Sequence, residues 1–319
     1  MSGTKTIVTV GEMLVEFISH DRNCALEKIS DYSGPYPSGA PAIFLDQVAR
    51  MGAPTEMIGG VGDDGFGLSV LNRLKEDGVG TDGVTVSPNL STGVAFVSYY
   101  DSGDRDFIFH LAGTAADAFD VPLSLLDPKN TFLHVSASSL GAASMRDKIM
   151  EVVRSVSDGG GLISCDPNAR TELMKDPATR EAMHDVMERS YCLLPSTSDL
   201  EFLYPDLSED AAIDKLLNAK AEIVTIKRGA AGATVVGYGE RHEFPGHTVA
   251  EIDPTGAGDC FCGTFVSLLA QGASLFEAGQ RANVAGAIAV TRRGPMEGNS
   301  TLSEITTFLS NMTSKEFSA

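Results

Sequence analysis

Short runs of apolar and β-branched residues alternate along this chain with stretches whose apolar positions recur every three or four residues. The first pattern predicts strands at Thr6–Val10, Glu56–Val61, Phe132–Ser136, Leu162–Asp166, Cys192–Ser196 and Glu222–Lys227. The second predicts helices at Ala42–Met51, Phe66–Glu76, Ser144–Ser157, Ala178–Arg189 and Ala211–Ala219. Strand and helix in alternation imply a mostly parallel sheet with helices on both faces. Several strand runs are almost wholly apolar, as strands covered on both sides should be. Further on, Cys260–Ala270 is a long apolar stretch. Ser274-Leu-Phe-Glu277 has the spacing of a capping box that opens a helix through Ala278–Thr291.

One region breaks the alternation. Gly93–Tyr100 and Asp106–Leu111 read as a hairpin turning at Asp101-Ser-Gly-Asp-Arg105, and Met13–Ile18 can join them in a small separate sheet. Such a sheet is either a lid over a ligand cleft or an extra edge hairpin.

With 319 residues, 43% of them hydrophobic, the chain can bury a substantial core. A net charge of −19 argues against nucleic acid or an anionic membrane as partner. It leaves room for a nucleotide gripped by local cations such as Lys227, Arg228, Arg292 or Arg293, each of which could equally be a solvated surface charge. The five cysteines are odd in number and scattered, which suits reduced thiols, and Cys260-Phe-Cys262 is not a metal-ligand spacing. Met1–Lys5 lead straight into the first strand and no apolar run reaches membrane-spanning length, so the expectation is a cytoplasmic protein.

The chemistry concentrates in Asp253-Pro-Thr-Gly-Ala-Gly-Asp259, directly before the apolar stretch. Two glycines flanking an alanine leave backbone N–H groups bare, and a helix start adds the positive end of a dipole, a combination that attracts an anion. An aspartate there repels phosphate, but it makes sense if Asp259 takes a proton from a hydroxyl that attacks phosphorus. The plain alternative is a well-capped loop-to-helix turn. A Walker-type loop is absent, and Gly59–Gly67 carries Asp63 and Asp64 where a pyrophosphate would lie. Asn283, among alanines and valines, needs a partner, in the core or on a bound base.

Four blocks in order carry a family resemblance: Val10-Gly-Glu12 with Glu16; Ser38-Gly39-Ala40-Pro41-Ala42 followed by Gly59-Gly-Val-Gly-Asp63-Asp64; Lys227-Arg-Gly229-Ala-Ala-Gly232; and Asp253–Phe261. In these the chain resembles the ribokinase-like PfkB carbohydrate kinases over essentially its whole length. The resemblance implies a single three-layer α/β/α domain over 1–319, doubly wound, with a small β-sheet lid from about 12–36 and 92–112. It implies Asp259 as catalytic base and Gly256, Ala257 and Gly258 as the anion hole. Sugar would lie against Glu12, Glu16, Gly39 and Ala40, with Arg170, and Arg105 for a sugar acid, as cationic candidates, either of which could instead be solvated. ATP would lie along Ser196, Lys227, Gly229 and Gly232, with Asn283 near its base. Mg²⁺ would be held through water by Asp199, and Asp253 and Thr255 would belong to a monovalent-cation loop, with K⁺ as the ion. Lids in this family often pair, which implies a homodimer through a face carrying Phe96, Phe107 and Phe109, although these aromatics could instead cover the substrate.

Departures from the family pattern bear on the sugar. Ser38-Gly39 and Ile43 stand where Gly-Gly and an asparagine are frequent, and Ser196-Thr-Ser-Asp199 stands where an asparagine and a glutamate are frequent. A small residue replaces the sugar-loop lysine of ribokinase, as in the fructokinase and 2-keto-3-deoxygluconate kinase branches. Asp166-Pro-Asn-Ala-Arg170 resembles the same branches. The expectation is a neutral ketohexose, tagatose ahead of fructose, with 2-keto-3-deoxygluconate third. A non-catalytic sugar- or nucleotide-binding relative is the competing class. A nicotinamide dehydrogenase is disfavoured because no glycine-rich turn follows the first strand.

Overall fold

The computed structural model describes residues 4–101, 105–169 and 175–316. From the N-terminus the strands are β1 (Thr6–Val10), β2 (Leu14–Ser19), β3 (Tyr32–Ser38), β4 (Thr55–Gly62), β5 (Val84–Ser87), β6 (Gly93–Tyr99), β7 (Arg105–His110), β8 (Thr131–Ser136), β9 (Leu162–Asp166), β10 (Cys192–Leu193), β11 (Ile223–Lys227), β12 (Gly232–Gly237) and β13 (Glu240–Pro245). The helices are α1 (Ala40–Arg50), α2 (Gly65–Glu76), α3 (Ala143–Asp158), α4 (Pro177–Arg189), α5 (Thr197–Leu203), α6 (Glu209–Ala219), α7 (Ala257–Ala270), α8 (Leu275–Ala289) and α9 (Leu302–Glu316).

Nine strands form one sheet in the order β13-β12-β11-β10-β9-β8-β1-β4-β5. It is parallel from β11 to β5 and antiparallel only at the β11-β12-β13 edge. The expected alternation is therefore present, with additions. The β12–β13 hairpin, the edge strand β5 and the Pro-containing β3 are too polar, short or proline-rich to read as strands. The strand expected over Cys192–Ser196 stops at Leu193, because Pro195 has no N–H to give the ladder. Pro195 instead accepts from Lys227 N–H, and Ser196 caps α5.

Side chains alternate across the sheet. Ile7, Met57, Phe132, Cys192 and Ile223 share one core with α1, α7 and α8. Val8, Ile58, Leu133, Ile163 and Val224 share the other with α3, α4 and α6. Among the largest side chains, Phe44, Phe132 and Phe265 are wholly buried, each worth roughly 1.5–3 kcal/mol of transfer free energy. They hold α1 and α7 to the sheet, and with them the loops that start those helices.

The second sheet has the order β3-β2-β6-β7. The hairpin's turn residues Ser102, Gly103 and Asp104 lie outside the described residues. The β6–β7 register pairs Phe96 with Ile108 and Val97 with Phe107, so Phe96 lies on the opposite face from Phe107 and Phe109. This corrects the expectation of one shared aromatic face. Phe96 stacks on Phe17, which in turn meets Phe66 of α2 edge-on. Asp64 ties this sheet to the body: it caps α2 by accepting from Gly67 N–H, and accepts from Thr92 N–H and Oγ1 where β6 begins. Against its burial, those donors hold its carboxyl below the ordinary range.

A buried polar knot joins α1, α2 and the segment before α9. Asp77 takes Arg50 at 2.7 Å and Arg73 at 2.6 Å. Asp46, fully buried, accepts from Asn299 Nδ2 at 2.5 Å, while the same arginines stand off at 3.4 and 3.5 Å. Burial first, and then a hydrogen bond with Asp77, push Asp46 up to about 7 against the pull of both arginines. Between about pH 4 and pH 7 the folded chain thus keeps a proton that the unfolded chain releases, so stability falls as pH rises through that window. Asp46→Asn imitates the protonated form. Its urea midpoint should change less across that window than that of the parent; parallel curves would contradict a protonated Asp46 in the folded chain.

Candidate active site

The helix α7 begins with a turn that few residues could make. Its N-cap, Gly256, has φ 79°, and a Cβ there would meet the Pro295 carbonyl oxygen at 2.4 Å and Ile43 Cγ2 at 3.2 Å. Only glycine fits. Ala257, Gly258 and Asp259 form the first helical turn, whose N–H groups lack intrahelical acceptors. Gly258 is exposed and Asp259 half-buried, so this turn faces outward at the carboxyl end of the parallel strands. Ile43, where the family often has an asparagine, packs against the turn rather than offering an amide.

Beneath the turn lies a charge. A Cβ on Gly258 would sit 3.7 Å from Lys227 Nζ. Lys227 ends β11, Asp166 ends β9, and the two form an ion pair of which little is exposed. Cys262 Sγ, one turn into α7, lies 3.5 Å from the ammonium. Burial works against both charges: it pushes the Asp166 carboxyl above its ordinary range against the pull of Lys227, while Asp166 holds the ammonium above its own. His134 lies near this pair, with its Nδ1 3.0 Å from Ser164 Oγ and its ring stacked on Phe44. Burial, then Lys227, lower it to about 3, so it stays neutral.

Asp199 and Ser196 build a reciprocal capping box for α5. One Asp199 oxygen accepts from Ser196 N–H and Oγ at 2.6 Å, the other from Ala169 N–H at 2.7 Å. Both oxygens are therefore occupied in holding the β9 and β10 loops together. Among the described residues no group of three or more His, Cys, Asp or Glu could hold a metal ion. Gly229–Ala231 form the turn between β11 and β12, and Gly232 opens β12. Asn283 donates to the Pro245 carbonyl at 2.8 Å, which pins the end of β13 to α8; its amide is a loop anchor.

On the side of the small sheet, Gly39 has φ 110° as N-cap of α1, and a Cβ there would meet the Glu12 carbonyl at 2.4 Å. This close approach brings Glu12 beside Gly39-Ala40. Glu16 on β2 is buried and accepts from Ser38 Oγ at 3.2 Å. Asp253 is 1% exposed and accepts from Thr255 N–H at 3.0 Å, Gly294 N–H at 2.9 Å and Tyr99 O–H at 2.5 Å. Burial, then Asp253, push the Tyr99 phenol far above its ordinary value. With three donors on its carboxylate, Asp253 braces the loop before the turn. Arg105 lies at the exposed end of β7 with its guanidinium 5.5 Å from the Phe107 ring centre. Arg170 lies outside the described residues.

The structure thus brings Glu12, Gly39, Ala40 and Gly256–Asp259 to the starts of α1 and α7, with Lys227 below. Two participants escaped the sequence reading. Tyr99 was one residue in a strand pattern, and the Lys227–Asp166 pair joins residues 61 apart. Only the shared position of both residues at strand ends hinted at it.

Residues 4–302 match the pfkB family carbohydrate kinase model. A fructokinase of Vibrio alginolyticus is 31% identical over 86% of this chain and 91% of its own length. Fructokinase-1 of Oryza sativa subsp. japonica is 30% identical over 91% and 93%. An E. coli chain described as a "putative Ribokinase II", solved in complex with ATP and Mg²⁺, is 41% identical, with TM-score 0.90 over 96% of this chain and 99% of that one. The chain belongs to the PfkB family of carbohydrate kinases. Its fold is ribokinase-like and it is a sugar kinase.

The two glycines of the turn should respond oppositely to a methyl group. Gly256→Ala should destabilise the fold by more than about 1 kcal/mol, since φ and the Pro295 carbonyl both oppose it. Gly258→Ala, in a helical turn with room, should be neutral or stabilising by about 0.5–1 kcal/mol. Equal thermal midpoints for the two variants would contradict this account of the turn.

Proposed function

We propose that this kinase transfers the γ-phosphate of ATP to a hydroxyl of a ketohexose, with fructose now ahead of tagatose. Fructokinase relatives at 30–31% identity over most of the chain support the sugar, and the 41% identical neighbour solved with ATP and Mg²⁺ supports the nucleotide. One observation carries the chemistry: a carboxylate, Asp259, in the same helical turn as Gly256–Gly258 and above a buried ammonium.

In this reading Glu12, Glu16, Gly39 and Ala40 hold the sugar's hydroxyls. Asp259 accepts the proton of the attacking hydroxyl while the new O–P bond forms and the bond to the ADP leaving group breaks. The N–H groups of Gly256, Ala257 and Gly258 stabilise the equatorial oxygens, and Lys227 supplies a fixed positive charge below them. Such preorganised donors carry most of the catalysis in phosphoryl transfer. Both Asp199 oxygens already accept hydrogen bonds, so Asp199 would hold a hydrated Mg²⁺ only through water, and the ion would supply positive charge against the nucleotide's phosphates. The solvent-exposed Arg105 gives no reason to prefer a sugar acid, so 2-keto-3-deoxygluconate kinase remains the alternative only through Arg170. A non-catalytic binder has no use for Asp259 in this turn.

The assay is ADP release over fructose, tagatose, ribose and 2-keto-3-deoxygluconate. Fructose or tagatose should give the highest kcat/KM; a preference for the sugar acid would overturn the ketohexose reading. Asp259→Asn should lower kcat by about 10²–10⁴-fold while sugar and ATP still bind. Unchanged turnover would remove Asp259 from its role.

We further propose a homodimer through the small sheet and a reducing, cytoplasmic setting. β7 is an edge strand with Ile108 and Phe109 exposed, and all five cysteines are free and buried. Light scattering at micromolar protein should give twice the chain mass; a monomer there would sink the dimer.

A further inference from the structure

The lid sheet reaches the phosphate-binding turn through a hydroxyl. Tyr99 is the last residue of β6, and its side chain shares a face with Ala95 and Val97. Its main chain is held in the lid, where its carbonyl accepts from Asn23 N–H at 2.8 Å. Its Oη donates to Asp253 Oδ1 at 2.5 Å and lies 2.5 Å from Thr255 Oγ1, which donates back to it. The other donors to Asp253 belong to the body: Thr255 N–H and Gly294 N–H. Asp253 therefore gathers the lid, the phosphate-binding turn and the segment before α9 at one buried carboxylate. Thr255 immediately precedes Gly256, whose left-handed conformation sets where α7 begins. Whatever shifts Thr255 turns the amides of Gly256–Gly258.

A buried tyrosine hydroxyl needs an acceptor wherever it lies, and a packing role would move stability alone. Here both partners of the hydroxyl stand at the head of the turn, 154 and 156 residues away in sequence. We propose that Tyr99 is a positioning residue: it makes the geometry of the Gly256–Asp259 turn depend on how the lid is seated, so that sugar and phosphate sites are set by one contact. This rests on the kinase reading above. Tyr99 touches neither substrate in it and acts through Asp253 and Thr255.

Tyr99→Phe removes only the oxygen. Amide hydrogen exchange over residues 254–260 of the ligand-free protein should quicken by about tenfold, while exchange in β1, β8 and β9 stays unchanged. With fructose and ATP, kcat should fall by about tenfold or more, with KM for fructose changed less than about threefold and the thermal midpoint within a few degrees of the parent. Thr255→Val, which keeps the lid's packing and removes the second hydroxyl, should reproduce the quickened exchange. The proposal is overturned if exchange over 254–260 in Tyr99→Phe matches the parent, or if kcat falls only as far as folded protein is lost. A parent that phosphorylates no sugar would mark failure of the kinase reading, whereas the ligand-free exchange measurement decides the Tyr99 contact by itself.

Discussion

The left-handed turn at Gly256 is the constraint to which the rest of this site is fitted. With φ 79° and the Pro295 carbonyl where a side chain would begin, the chain can start α7 at this point and in this direction with glycine alone. Everything that matters chemically follows within three residues: the bare amides, the small Gly258 and the carboxylate of Asp259. The apolar body of α7, from Cys260 to Leu269, is wholly buried, which fixes the helix axis. The turn then points at the carboxyl edge of the parallel strands, where open α/β sheets leave a crevice.

That edge is not apolar. Beneath α7 the sheet carries His134, Ser164, Asp166 and Lys227 on one face, among side chains that otherwise form a core. Burying such groups costs free energy unless they are paired, and here they are. The ion pair of Lys227 and Asp166 contributes little net stability, since desolvation offsets most of its attraction. In the proposed function its ammonium would be a positive group already desolvated and held in place before a phosphate binds. A surface lysine would have to surrender water and rotamer freedom to do the same. The same logic applies to Asp253, whose three donors hold the loop before the turn.

Much of this was legible in the sequence, for physical reasons that differ from element to element. Buried parallel strands such as Leu162–Asp166 read clearly because both faces are apolar. The anion turn read clearly because its glycines and the following apolar run are contiguous. The β12–β13 hairpin and β3 were not legible, since Glu240–Pro245 and Tyr32–Ser38 lack the composition of strands and are held by neighbours. The face of Phe96 depended on a register that the hairpin's pattern does not specify. Asn283 read as a polar residue in want of a partner, and the Pro245 carbonyl is that partner. The contact of Tyr99 with Asp253 and the pairing of Lys227 with Asp166 had to await the fold, because each joins residues distant in sequence. Asp199 was visible as a carboxylate, but its commitment to Ser196 and Ala169 appears only once the β9 and β10 loops are folded together.

In the proposed reaction the transferring phosphate sits on the Gly256–Asp259 turn with a sugar hydroxyl between it and Asp259. A crystal structure with fructose, ADP and a planar metal-fluoride mimic of the phosphoryl group tests this most directly. The mimic should lie within about 2.7–3.2 Å of backbone nitrogens in that turn, with one fructose hydroxyl in hydrogen-bond contact with Asp259. A mimic bound away from the turn, or a sugar whose hydroxyls do not reach Asp259, would contradict it.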